Sequence, residues 1–124
     1  ELRRKRGAHL FSKHRFLAAQ MKSYLASNLW LDMAKKSNDA CARLVQGLKQ
    51  IQEVRLDYEP EANIIFAHWA RALHQRLHAA GAQYYVMAGD YTTGPANEML
   101  QARLVTDWSA TSESVDQFLA ILRD

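Results

Sequence analysis

The chain has 124 residues, 48% of them apolar and 23% charged, enough for one domain with a buried core and too apolar for intrinsic disorder. Cys41 is the single cysteine, so an internal disulfide is excluded; no apolar run approaches the roughly 20 residues of a membrane span, and no signal-type opening is present, which predicts a cytoplasmic protein. The net charge of +3 conceals polarity: Arg3, Arg4, Lys5, Arg6, Lys13 and Arg15 stand near the start against Glu1, and the remainder of the chain is net acidic.

That basic run beside the Gly7-Ala8 step suits an anion such as a phosphate or a carboxylate, because glycine lets backbone approach a ligand closely. A frayed basic terminus on a solvated helix accounts for the charge as well. The chain opens at Glu1 without an initiator Met, as a piece of a longer polypeptide would.

Over residues 8–26, Leu10, Phe11, Leu17, Ala18, Met21, Tyr24 and Leu25 recur at helical spacing and predict an amphipathic helix, interrupted by Ser27-Asn28. A second helix follows over about residues 29–50. Trp30, Met33, Cys41, Leu44, Val45, Leu48 and Ile51 lie on one side of it, with Lys35, Lys36, Asp39 and Lys49 facing water. Cys41, inside that apolar pattern, reads as a buried inert thiol.

The period then changes. Val54, Leu56 and Tyr58 alternate with Arg55 and Asp57 in a half-buried strand that Pro60 ends, and residues 63–68 form a second, more buried strand, a plausible hairpin partner. Residues 70–80 form a short helix with Leu73 and Leu77 inward, stopped by Gly81. A third strand occupies 84–87. Turn chemistry over 89–95 leads to a fourth strand at 99–106, and Thr111 caps a last helix with Val115, Phe118, Leu119 and Leu122 on its core stripe. The order α-α-β-β-α-β-β-α describes an α+β two-layer domain: a mostly antiparallel sheet of about four strands covered by helices and preceded by two helices.

Several residue groups offer chemistry. His74 and His78 stand one helical turn apart and could share a metal, but two histidines without a third ligand make a solvated face, and no metal is expected. His9 and His14 flank the basic turn, as contacts to substrate or cofactor or as interface packing. The 89–95 segment lacks the Gly-Lys-Ser/Thr ending of a phosphate loop, and Trp30, Trp69 and Trp108 read as core or interface residues. On the fourth strand Leu100, Ala102 and Leu104 share one face, leaving Gln101 and Arg103 on the other.

Two segments carry a family resemblance: residues 3–20, Arg-Arg-Lys-Arg-Gly-Ala-His-Leu-Phe-Ser-Lys-His-Arg-Phe-Leu-Ala-Ala-Gln, and residues 102–108, Ala-Arg-Leu-Val-Thr-Asp-Trp, with the capped helix beyond. Together they resemble the C-terminal third of low-specificity L-threonine aldolases, of the β-eliminating lyase group of fold type I pyridoxal phosphate enzymes. The resemblance spans residues 1–124 and implies a C-terminal small domain, with 1–52 a helical connecting segment and 53–124 an α+β subdomain.

It also implies a reaction, the reversible cleavage of threonine or allo-threonine into glycine and acetaldehyde. The lysine that carries the cofactor covalently would lie upstream, so no catalytic residue is assigned within this chain and the segment alone would be inactive. By the same resemblance Arg103 matches the arginine that binds the substrate carboxylate. Lys5 is the best match for a contact to the cofactor phosphate of a neighbouring subunit, with Arg6 and Lys13 as helpers, and Ala8 stands where a second glycine is common in the family. The parent would be a homodimer or homotetramer, its partners the amino-acid substrate and the large domain of the same polypeptide. A reading from another class is a small basic module whose N-terminal helix binds nucleic acid; the absence of a second basic stripe counts against it.

Overall fold

The computed structural model of the protein describes residues 1–8 and 12–124. Its centre is the pairing of two seven-residue strands, β2 (Ile64–Ala70) and β4 (Met99–Val105), antiparallel from Ile64 opposite Val105 to Ala70 opposite Met99. Short strands flank them, β1 (Arg55–Leu56) on β2 and β3 (Tyr85–Val86) on β4, giving the order β1-β2-β4-β3 with every neighbour antiparallel. Period-two alternation sends Ile65, Ala67 and Trp69 of β2 and Leu100, Ala102 and Leu104 of β4 to one face, where all six are buried.

Helices cover that face. α3 (Leu29–Leu48) buries Ala40, Cys41, Leu44, Val45, Gly47 and Leu48 at helical spacing, α4 (Arg71–Ala79) buries Leu77, and α5 (Ser112–Arg123) buries Val115, Leu119 and Leu122. Residues of all three helices join the strands in one apolar cluster. Thr111 caps α5 as expected: its hydroxyl accepts from the Ser114 amide at 3.2 Å while the Ser114 hydroxyl accepts from the Thr111 amide at 3.1 Å, a capping box closed by serine. Gly81, at φ +94°, ends the α4 turn in the left-handed region, as its position predicts. The two-layer α+β architecture expected from the pattern is present.

The chain divides into two units, Glu1–Asp32 and Met33–Asp124. In the first, α1 (Leu2–Arg6) and α2 (His14–Leu25) replace the single helix expected from residue 8. Ala8 and Lys13 both have positive φ, 56° and 58°, which a right-handed helix does not accommodate. Leu10 and Phe11, assigned to that stripe, lie outside the described residues. The break at Ser27-Asn28 is where it was expected, with both residues left-handed before α3 begins.

Strand lengths also differ from expectation. β1 is two residues long because Val54 hydrogen-bonds back to the Ile51 carbonyl rather than joining the ladder, and Tyr58 leaves the strand to lie exposed against Phe66. β2 runs on to Ala70, since Trp69 continues the alternation into the core. β3 contracts to Tyr85–Val86.

At Gly47 the α3 backbone lies close against the Leu119 side chain of α5. A Cβ there would stand 2.1 Å from Leu119 Cδ1 and 2.7 Å from Leu119 Cδ2, and Leu119 is itself buried. Alanine would gain about 1 kcal/mol of helix propensity but force the interface apart. Gly47→Ala is therefore expected to destabilise the protein by about 1–2 kcal/mol net. Adding Leu119→Ala should relieve part of the clash, so that urea unfolding of the double variant shows a smaller loss than the two single losses summed.

Candidate functional site

The second face of the sheet carries no helix residues of the core cluster, and its side chains are half-buried or exposed. Register sets Arg103 of β4 directly opposite Phe66 on one side and Tyr85 on the other. The Tyr85 ring supports the guanidinium, with Arg103 Cζ 4.6 Å from the ring centroid. Arg103 Nε is buried without a hydrogen-bond partner.

Arg103 stands apart from the other arginines of its unit. Arg43 forks onto Asp116 at 3.0 and 2.6 Å, Arg71 holds Glu98, Arg76 donates to the Ile121 carbonyl at 2.6 Å, Arg123 reaches Gln50 at 3.4 Å and Arg55 meets His68 and Asp57. Among the described residues Arg103 alone of these has no oxygen or nitrogen partner. The carboxylate on the same face, Asp57, is already engaged: its Oδ1 lies 3.0 Å from His68 Nδ1, and its Oδ2 accepts from Gln101 at 2.6 Å. A half-buried cation left unpaired beside a satisfied acid retains the capacity to pair with an anion.

The cleft in front of it measures about 680 Å³ and is lined by His78, Gln83, Tyr84, Tyr85, Arg103 and Val105. Its wall is fixed from behind by His74, which is fully buried and stacked on Trp69 at 4.8 Å. His74 Nε2 lies 3.1 Å from the Leu100 carbonyl, which can only accept, so the neutral ring donates there and accepts a hydrogen bond from the Tyr84 hydroxyl at Nδ1, 3.0 Å away. Burial holds the His74 pKa below 6.5, helped by the charges of His78 and Arg71, and burial likewise raises the Tyr84 phenol. His78 is stacked between Tyr84, at 4.4 Å, and Tyr91, at 4.2 Å. The histidine pair, expected on a solvated face, is instead drawn into packing: the His74 ring is fully buried and bonded at both nitrogens, and the half-buried His78 ring is sandwiched.

The remaining predicted residues lie in the first unit. Lys5 and Arg6 are exposed on α1, where Lys5 meets Glu1 at 3.4 Å, and Lys13 is the residue before α2. His9 lies outside the described residues. Trp69 is core, whereas Trp30 and Trp108 are exposed.

Sequence reasoning missed Tyr85 and Arg71. Tyr85 gave no signal, since only the β3–β4 register brings it to Arg103. Arg71 is 3% exposed; its Nε donates to the Pro95 carbonyl at 3.1 Å and its Nη2 holds Glu98, pinning the 89–98 turn to the start of α4. A Cβ on Gly94 would stand 2.8 Å from Arg71 Nη2, so the glycine in that turn was the available clue.

The fold of this α+β unit recurs in solved structures that carry pyridoxal phosphate. The chain is 30% identical over 124 residues to the low specificity L-threonine aldolase of Pseudomonas aeruginosa, matching 99% of this chain and 33% of that protein. The structure of Leishmania major threonine aldolase superposes with a TM-score of 0.77 over 91% of this chain and 31% of that one, at 21% identity. A C-DES variant with glycine covalently linked to its pyridoxal phosphate cofactor shares the fold over 73% of this chain and 23% of its own, with a TM-score of 0.58 and 18% identity. No protein-family model matches. The resemblance to low-specificity L-threonine aldolases thus holds from end to end, and the chain spans about a third of the length of the curated relative it matches. Nothing in these comparisons supports the nucleic-acid reading. No helix among the described residues is long and apolar enough to cross a membrane.

His74 also predicts a pH dependence. With its folded pKa below the unfolded value, the unfolded chain binds the extra proton first, so this contribution is complete above about pH 6.5 and fades as the pH falls through the folded value. Unfolding free energy followed by urea titration is expected to decline below that pH, and His74→Gln to flatten the decline.

Proposed function

We propose that this chain is the C-terminal, substrate-anchoring part of a pyridoxal phosphate-dependent aldehyde-lyase that reversibly cleaves threonine or allo-threonine into glycine and acetaldehyde. In this reading residues 1–52 connect, residues 53–124 form the small domain, and the large domain of the same polypeptide carries the cofactor lysine. The single observation that carries it is the unpaired guanidinium of Arg103, half-buried on the open sheet face.

The residues present suit the implied groups by their donor chemistry. Arg103 offers a planar fork, which meets a carboxylate with two parallel hydrogen bonds where lysine would offer a point charge. Lys5, Arg6 and Lys13 are exposed cations suited to a phosphate, and the contact between Lys5 and Glu1 is solvent-exposed on both sides, too weak to withhold the ammonium. Pyridoxal phosphate, when bound, supplies the electron sink for breaking the Cα–Cβ bond. Arg103 fixes the α-carboxylate and so the orientation of that bond. The apolar residues Phe16, Leu17, Met21, Tyr24 and Leu25 of α2, all exposed, favour an oligomeric parent with α2 in a subunit or domain interface, and the lone buried Cys41 agrees with a cytoplasmic one.

Arg103→Lys in the complete enzyme is expected to retain the cofactor's visible absorption band while kcat/KM for threonine falls roughly tenfold to hundredfold. Unchanged kinetics would overturn the assignment. Lys5→Ala is expected to act differently, weakening cofactor retention or subunit association on gel filtration, with amino-acid affinity preserved in whatever holoenzyme remains.

A further inference from the structure

The structure raises a question that the role of Arg103 does not answer: what holds this guanidinium in place while it has no anion. A carboxylate partner would neutralise it and occupy its N–H donors. The sheet face avoids that, because Asp57 is committed to His68 and Gln101. The support comes instead from Tyr85, whose ring face attracts the cation without offering a lone pair to its donors.

We propose that Tyr85 is the positioning residue for Arg103: a ring that stacks on one face of the guanidinium, holds its fork in the orientation that receives a carboxylate, and leaves the donors free. The proposal rests on the reading of Arg103 as the carboxylate anchor. Tyr85 has no other task in its unit, being largely exposed on a two-residue edge strand and making no hydrogen bond through its hydroxyl among the described residues. Its place is fixed by the backbone, since β3 pairs Tyr85 with Arg103 itself. An arginine side chain otherwise samples many rotamers, and ordering it at the moment of binding weakens affinity for the ligand that must order it. The ring performs that ordering in advance.

The ring and not the hydroxyl does this, and the effect falls on binding rather than on chemistry. In the complete holoenzyme Tyr85→Leu, which keeps apolar bulk and suits a strand, is expected to raise KM for threonine roughly threefold to tenfold with kcat within about twofold of the parent. Tyr85→Phe is expected to match the parent in both. Acetate, a carboxylate without an amine, is expected to lose the same factor in affinity by calorimetry in the leucine variant and none in the phenylalanine variant. The urea midpoints of both variants report folding independently.

An unchanged KM and acetate affinity in Tyr85→Leu overturns the proposal, as does a phenylalanine variant as impaired as the leucine one, or a loss confined to kcat. Arg103→Lys measured alongside separates the two readings. If it too leaves KM and acetate binding unchanged, the anchor itself is misplaced. If it weakens both while Tyr85→Leu does not, only the role of Tyr85 is withdrawn.

Discussion

The antiparallel pairing of β2 with β4 is the constraint on which the second unit depends. Seven consecutive residue pairs fix which side chains of each strand meet, and the two-residue period then assigns every one of them to a face. One face receives Ile65, Ala67, Trp69, Leu100, Ala102 and Leu104 and closes against three helices. The other receives Phe66, His68, Gln101 and Arg103 and stays open. A slip of one residue would exchange the faces, placing a guanidinium in the apolar cluster, so burial of Trp69 and the placement of Arg103 on the open face enforce the same register.

Behind this sheet the buried histidine and arginine are each anchored by hydrogen bonds, although Trp69 Nε1 and Arg71 Nη1 lack a partner, and in front of it the guanidinium of Arg103 has no oxygen or nitrogen partner among the described residues. His74, at the centre of the core, is bonded at both ring nitrogens, and Arg71 is buried under the turn it holds. Arg103, on the open side, has an aromatic ring for support and no anion. The other arginines of this unit are each paired, and this one alone is not. In the reading proposed above, the carboxylate of an amino-acid substrate would be the anion that pairs with it.

Much of this was legible in the chain. The periods near 3.6 and 2 separated helices from strands, Gly81 and Thr111 marked a helix end and a helix start, and the alternation around Leu100, Ala102 and Leu104 already set Arg103 on the opposite face. Illegible features came from backbone turns and dihedrals that residue type does not announce, and from pairs distant in sequence. β1 stops early because the Val54 amide turns back to Ile51, α2 begins only at His14 because Ala8 and Lys13 take left-handed dihedrals, and Arg71 is buried because Glu98 and Pro95 meet it from the far side of a turn.

The sequence by itself determined the element types, the α+β class, the face on which Arg103 stands and the family that the chain resembles, because each of these rests on local period, on short-range chemistry or on ordered motifs. Only the tertiary structure decided that β4 lies between β2 and β3, that Asp57 is committed to His68 and Gln101, and that Tyr85 lies against Arg103. The reason is physical: strand order and cross-strand partners depend on how a whole sheet satisfies its backbone and buries one face, and no stretch of the chain shorter than the sheet contains that information.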